Sequence, residues 1–437
     1  MNFRFAVLGE AADRLVEQLE AIGEQFTVVR RCAELRELVA ACQSGLAGVA
    51  LLSEHTAELN SALLERLAAC HSRVVVLTDD EAETQRLNSL GARVFSLGSD
   101  ALKIIQGLES DSVDADGAVT EPAAQFLAIQ DAKDDAASNK LLGEAEKKKH
   151  PKNVDSSQII AIWGPIGSPG RTMLATNMAA EFAALGLEVL LIDADSYGAS
   201  VAATLGILDE SAGIARAVRL ADQGSLDPEG LWQIAPELVF RGGRFRVLSG
   251  LTRPDRWPEL RAMALQQLFT LSRQLLPVTI IDCGFSLETD EELSFDSYVP
   301  RRNAATLAAL RSADQIIAVG AADSIGVPRL IRGLTELANI CPGQEPLVVL
   351  NKVRRGAAGR SPEQALQQAW LRFGPQFSIK AFLPAETALL DRMLLSGELL
   401  IEAGPDSALR KKLQTFVSAL AQRNSQTAVS STTAKNG

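Results

Sequence analysis

Ile159-Ile160-Ala161-Ile162-Trp163-Gly164-Pro165-Ile166-Gly167-Ser168-Pro169-Gly170-Arg171-Thr172 runs into a helical pattern through Ala184. An apolar strand, a glycine-rich turn and a helix start follow one another. Gly167 and Gly170 let backbone amides face an anion without a Cβ in the way, and the helix amino terminus adds its positive dipole end. Thr172 offers a hydroxyl to Mg2+, and Arg171 supplies a fixed positive charge. The strict phosphate-loop pattern asks for Gly, four residues, Gly-Lys and Ser or Thr. Here Pro165 holds the first glycine position, with Gly164 one place earlier, and Arg171 holds the lysine position. Taken alone, the stretch reads equally well as a loop of structural glycines.

Its surroundings favour the anion reading. Val189-Leu190-Leu191-Ile192-Asp193-Ala194-Asp195 comes one helix later, and Val278-Thr279-Ile280-Ile281-Asp282 follows. Each is a buried-type run that ends in carboxylate. Acids at the carboxyl ends of parallel strands face the crevice where ligands bind, and there they can orient water or hold a hydrated Mg2+. Asp residues that merely cap loops are the competing explanation for either strand taken singly. Further strands are expected at Phe245 to Leu248, Gln315 to Val319 and Leu347 to Leu350. A final helix is expected from Ser407 to Arg423, with Leu409, Leu413, Phe416, Val417 and Leu420 on one face. Before this domain, five short apolar runs between Phe3 and Phe95 alternate with helical patterns such as Ala11 to Ile22. That is a second parallel sheet. The expected order is a domain at 1–108, a flexible linker rich in Asp, Ala, Ser, Lys and Glu at 109–157, a larger α/β domain at 158–423 and a disordered Ser/Thr tail at 424–437.

The chain has 437 residues, which exceeds a single small module. Its 43 Lys plus Arg against 54 Asp plus Glu give a net charge of −11, so bulk attraction to nucleic acid or anionic membrane is not expected. Five scattered cysteines without metal-ligand spacing read as core thiols in a reducing compartment. Met1-Asn2-Phe3-Arg4-Phe5 lacks a basic region followed by a long apolar one, and no run reaches the roughly 20 apolar residues of a membrane span. A cytoplasmic protein is expected.

The ensemble resembles the deviant-Walker P-loop ATPases of the MinD/ParA superfamily, most of all a CpaE/TadZ-like branch. The matching stretches are the phosphate loop, Leu191-Ile192-Asp193-Ala194-Asp195, Ile280-Ile281-Asp282-Cys283-Gly284, Leu350-Asn351-Lys352 and Phe382-Leu383-Pro384. The fold implied is α/β, a receiver-like doubly wound parallel sheet followed by a larger P-loop NTPase sheet. The resemblance implies ATP and Mg2+ as ligands. Phosphate would be bound by Gly167, Ser168, Pro169, Gly170, Arg171, Thr172 and Met173, and the metal by Thr172, Asp195 and Asp282. Asp195 would activate water, and Asn351, Pro384 and Glu386 would meet adenine. It also implies a homodimer that positions cargo such as pilus or secretion machinery, a septum or a chromosome. Recruitment to a membrane or cell pole would come through a protein partner. Departures point to slow hydrolysis or none: Ile166 stands where the family's dimer-crossing lysine would fall, Met173 replaces a second Thr or Ser, and Cys283-Gly284 follow the Mg2+-side acid. In the amino-terminal domain Ser53 stands where a receiver has its phosphoacceptor Asp, Gly9-Glu10 replace the acidic pair, and only Thr78 survives. A docking role, without phosphorylation, is what that pattern implies.

Three other readings compete. A dinucleotide-binding enzyme would space its glycines as Gly-x-Gly-x-x-Gly, whereas Gly164, Gly167 and Gly170 are three apart. An ATP-dependent ligase of the same fold would carry a recognisable substrate site. A catalytically silent nucleotide-binding scaffold is the strongest rival. The tail beyond Arg423 has no apolar face, so no direct membrane anchor is expected.

Overall fold

Every residue of Gln158–Trp163, Val189–Ala194 and Val278–Cys283 is buried in the computed structural model of the protein. A strand covered on both faces needs no polar side, which is why these segments read as continuous apolar runs. The structure describes residues 3–22, 26–99, 101, 104, 157–207, 212–289 and 300–434. The chain divides into two units, Met1–Lys152 and Asn153–Gly437. The expected linker at 109–157 lies, except for Ser157, outside the described residues.

The first unit is a five-stranded parallel sheet of β1 (Phe3–Leu8), β2 (Phe26–Cys32), β3 (Val49–Leu52), β4 (Arg73–Leu77) and β5 (Arg93–Phe95), ordered β2-β1-β3-β4-β5. Alternate strand residues feed two cores. Phe5, Val7, Leu51 and Val75 pack with Leu15 and Leu19 of the helix Glu10–Ile22, while Leu8, Leu52 and Val76 pack with Leu38 and Val39 of the helix Leu35–Gln43. Helices on both faces and a reversal of winding at β1 make the sheet doubly wound.

The second unit is an eight-stranded sheet. It adds β6 (Gln158–Trp163), β7 (Val189–Ala194), β8 (Glu237–Phe240), β9 (Gly243–Leu248), β10 (Val278–Cys283), β11 (Gln315–Ala321), β12 (Leu347–Val353) and β13 (Ile379–Pro384). The order is β13-β12-β11-β6-β10-β7-β9-β8, parallel throughout except for the edge pair β8 and β9. In-register pairing of β10 with β6 and β7 sets Asp282 beside Ile162 on one side and Asp193 on the other. Ile159, Ala161 and Trp163 join one core with Leu265 and Leu330. Ile160 and Ile162 join the other with Leu174, Met178 and the final helix. Leu409, Leu413, Phe416, Val417 and Leu420 are buried, as their helical spacing predicts.

Three differences from the sequence reading stand out. β8 carries exposed Glu237 and Val239 at the sheet edge, where half-buried pairing leaves little apolar signal. β13 contains Lys380 and begins after Gly374-Pro375-Gln376, so only its Phe382-Leu383-Pro384 end was visible. The last helix runs Ala408–Ala434 instead of stopping at Arg423, because no Gly or Pro interrupts that stretch. Cys32, Cys42, Cys283 and Cys341 are buried free thiols, and Cys70 is a half-buried one; burial pushes the Cys42 thiol up to about 11.

Candidate functional site

β6 delivers the chain to a loop that folds around unusual backbone. Gly167 (φ +119), Ser168 (φ +52) and Gly170 (φ +102) all lie in the left-handed region. Only Ser168 pays the Cβ penalty there, and such strain persists where neighbours hold it. The holders come from the end of β12. Asn351 Nδ2 donates to Pro169 O at 2.9 Å, and Lys352 Nζ donates to Ser168 O at 2.7 Å. Lys352 is itself left-handed, at φ +62. A Cβ on Gly170 would lie 2.4 Å from Asn351 Nδ2, so this contact exists only because residue 170 has none. Gly170 leads into the helix Arg171–Ala184, whose first amides point at the loop. Met173 belongs to that first turn, where its carbonyl accepts from Thr176 Oγ1 and Asn177 Nδ2.

The acidic strand ends close the other side. Thr172 Oγ1 donates to Asp282 Oδ2 at 2.6 Å and lies 3.0 Å from Ser200 Oγ. Asp282 is 1% exposed, and its Oδ1 is buried with no hydrogen-bond partner. Burial raises the Asp282 carboxyl well above the usual range, and nearby Asp193 adds to the shift. An orphaned carboxylate oxygen beside a hydroxyl fits a divalent cation, which would satisfy the oxygen and relieve the raised affinity for a proton. Among the described residues no cluster of three or more His, Cys, Asp and Glu could hold a metal, so a cation here would take Thr172, Asp282 and oxygens from a ligand or water. Asp193 serves the backbone instead. Its Oδ1 accepts from Asp195 N and its Oδ2 from Val201 N, and burial pushes its carboxyl up to about 6.

Arg171 and Asp195 depart from what the motif suggests. Arg171 Nη2 reaches Asp195 Oδ2 at 2.9 Å and its Nη1 reaches Gly164 O at 2.8 Å. The guanidinium therefore ties the loop to the acid, with both side chains almost out of water. Asp195 Oδ1 also accepts from Tyr197 N and Gly198 N. Asn351 differs too. It is 3% exposed, its Nδ2 donates to the loop and its Oδ1 accepts from Lys352 N, so one donor and one acceptor site of its amide are used in holding the loop. Pro384 ends β13 beside Val353, while Glu386 Oε1 accepts from Leu409 N at 2.9 Å and so anchors the final helix.

Ile166 is 58% exposed at the rim of the loop, where it borders a cavity of about 410 Å3 shared with Arg329 and Arg354. The sequence reading missed Arg329, Arg354, Ser200 and the loop-holding role of Lys352. Lys352 carried a signal, since it directly follows Asn351. Arg329 sits on an ordinary amphipathic helix, Gly326–Ile340, and carried none.

The corresponding end of the first sheet is closed by two hydroxyls and an exposed carboxylate, each taken up by a backbone amide. Ser53 Oγ accepts from Ala12 N at 3.2 Å, and a Cβ on Gly9 would lie 2.4 Å from that oxygen. Glu54 Oε1 accepts from Glu10 N, and Thr78 Oγ1 accepts from Asp80 N. Thr78 here begins a turn.

No family model matches the chain, and no curated protein matches it. Solved structures are similar to it. They include the cell division ATPase MinD of Pyrococcus furiosus, at 17% identity over 61% of this chain and 99% of that one, with a TM-score of 0.47. The septum site-determining protein MinD from Pyrococcus horikoshii, complexed with Mg-ADP, is 18% identical over 60% and 96% of the two chains, with a TM-score of 0.47. An ATP complex of a Cyanothece McdA variant is 20% identical over 61% and 96%, with a TM-score of 0.46. Among the described residues no helix is long and apolar enough to cross a membrane.

Proposed function

We propose that the second unit binds an adenine nucleotide with Mg2+ and acts as a positioning protein of the MinD/ParA type. The observation that carries this reading is the meeting of three left-handed loop residues, a helix amino terminus and Thr172 bonded to Asp282, whose second oxygen is buried and unpartnered. Loop amides and the helix end suit phosphate, and the hydroxyl with the carboxylate suits its magnesium ion. Mg2+ would neutralise phosphate charge there. Lys352 and Asn351 keep the strained loop open for the anion, and in this reading the base meets Asn351, Pro384 and Glu386.

Turnover is slow or absent in this reading. Asp195, the acid assigned to water, is paired with Arg171, so a phosphate must first draw the guanidinium away. A silent nucleotide-binding scaffold is the second reading, favoured by that pair and by exposed Ile166 at the rim. The first unit is a docking module for a protein partner, the chain acts as a homodimer, and any membrane or polar location comes through the partner. A CpaE/TadZ-like role at pilus or secretion machinery is the finer assignment.

Calorimetry of the full chain with Mg-ADP tests the site. Asp282→Asn is expected to abolish the magnesium dependence of binding, and Arg171→Ala to weaken it at least about ten-fold through loss of a charge-assisted contact. Unchanged binding in both variants would remove the assignment. Phosphate release from Mg-ATP by the native chain but not by Asp195→Ala separates slow turnover from the silent scaffold.

A further inference from the structure

The loop also borders a space that neither Thr172 nor Asp282 lines. There the cavity of about 410 Å3 is bounded by Ile166, Gly167, Asp323, Arg329 and Arg354. That volume is within the range of small-molecule sites. A Cβ on Gly167 would lie 2.9 Å from Arg329 Nη1, so this guanidinium rests directly against the loop backbone. Arg329 is half-buried, and among the described residues its guanidinium has no hydrogen bond and no ion pair. A guanidinium drawn partly from water without an anion is costly to keep, and it is most readily satisfied by one. Arg354 stands beside it on the same cavity, exposed, with a single 3.3 Å side-chain bond to Lys352 O.

Asp323 is the carboxylate on this wall. Its Oδ1 accepts from Gly326 N at 2.7 Å and from Ile325 N at 3.1 Å, and the Gly326 hydrogen bond leads in holding its carboxyl below the usual range. It is thus occupied with starting the helix Gly326–Ile340, and two arginines against one acid leave the cavity net positive. The planar forks of two guanidiniums match the oxygens of a phosphoryl group.

We propose that this cavity is an anion subsite in which Arg329, assisted by Arg354, binds a phosphoryl group beside Gly167. The charge missing at Ile166 is then supplied from a different helix. The phosphoryl group has two sources: the terminal phosphate of a nucleotide held in the cradle, which rests on the function proposed above, or a separate phosphorylated ligand, which does not.

Calorimetry of the full chain with Mg-ATP, Mg-ADP and pyrophosphate tests the subsite, with circular dichroism to show that variants are folded. If the group is the nucleotide's own, Arg329→Gln weakens Mg-ATP about ten-fold and leaves Mg-ADP unchanged, as expected for loss of one charge-assisted contact. If it is separate, the chain saturated with Mg-ADP still binds pyrophosphate, and Arg329→Gln removes that binding. Either result supports the subsite. Folded Arg329→Gln/Arg354→Gln chain that binds all three probes like the native protein overturns it. In that case, loss of Mg-ADP binding in Asp282→Asn would leave the nucleotide reading standing. Pyrophosphate binding that needs Arg329 in a chain blind to Mg-ADP would do the reverse.

Discussion

At the carboxyl end of β1, Gly9 turns the chain so closely that a side chain would strike Ser53, and the Ser53 hydroxyl then takes an amide from the next helix. At the carboxyl end of β6, Gly167 and Gly170 make similar turns, yet the groups around them are Arg171, Asp195, Asp282 and Lys352. Both sheets are parallel at these strands and offer a crevice at the same topological place. In the first, the Ser53 and Thr78 hydroxyls and the exposed Glu54 carboxylate are each taken up by a backbone amide of the loops. In the second, charged groups are buried and cross-linked, with one carboxylate oxygen left over. Parallel-sheet topology locates a crevice, and the residues at the strand ends decide whether it does chemistry.

The largest contrast should appear in the glycines. Gly170→Val must place a branched side chain at φ +102 and against Asn351, so we expect a loss of roughly 4 kcal/mol by denaturant unfolding. Gly91→Ala in the first unit has φ +83 but open space around the new Cβ, so about 1 kcal/mol is expected. Equal losses at the two positions would mean that the glycine-rich loop after β6 is not tightly held.

Ion pairs give a smaller contrast. Arg410 Nε contacts Glu181 at 2.8 Å with the side chains only 15% and 4% exposed, joining the final helix to the helix after the loop. Arg410→Met leaves Glu181 buried without its partner, and we expect a cost of about 3 kcal/mol. Arg14→Ala, which breaks the exposed pair with Glu10 in the first unit, should leave the unfolding midpoint of that unit within error. A strong salt dependence of the Arg410 effect would show the pair to be wetter than the structure has it.

The smallest effect is an expected absence of change. Ser53→Asp restores a carboxylate at the end of β3, but the neighbouring positions are still Gly9 and Glu10, too few acids to hold the metal that aspartyl phosphorylation uses. Acetyl phosphate treatment of the native chain and of this variant should yield no acid-labile phosphate by intact mass. Stable phosphorylation of the variant would make the two crevices chemically closer than their side chains suggest.

Much of this was readable before any coordinates. Continuous apolar runs ending in Asp announced β7 and β10, and a glycine-rich turn before a helix announced the loop, because burial on both faces and left-handed backbone each restrict the residues allowed. β8 and β13 escaped because edge strands keep polar residues. The end of the last helix escaped because Ser and Thr lower helix propensity without forbidding a helix.

What the sequence determined by itself is therefore the pair of largely parallel sheets, the glycine-rich loop and the acids at the neighbouring strand ends. These follow from local rules of periodicity, chirality and strand polarity. Which charged groups meet was decided only by tertiary structure. Arg171 turned to Asp195 and Gly164, Asn351 was drawn under the loop, and Arg329 came to rest beside Gly167 from a helix far along the chain. A side chain's partner depends on the packing of distant elements, and in a dry crevice a buried charge or amide takes whichever partner that packing brings within reach.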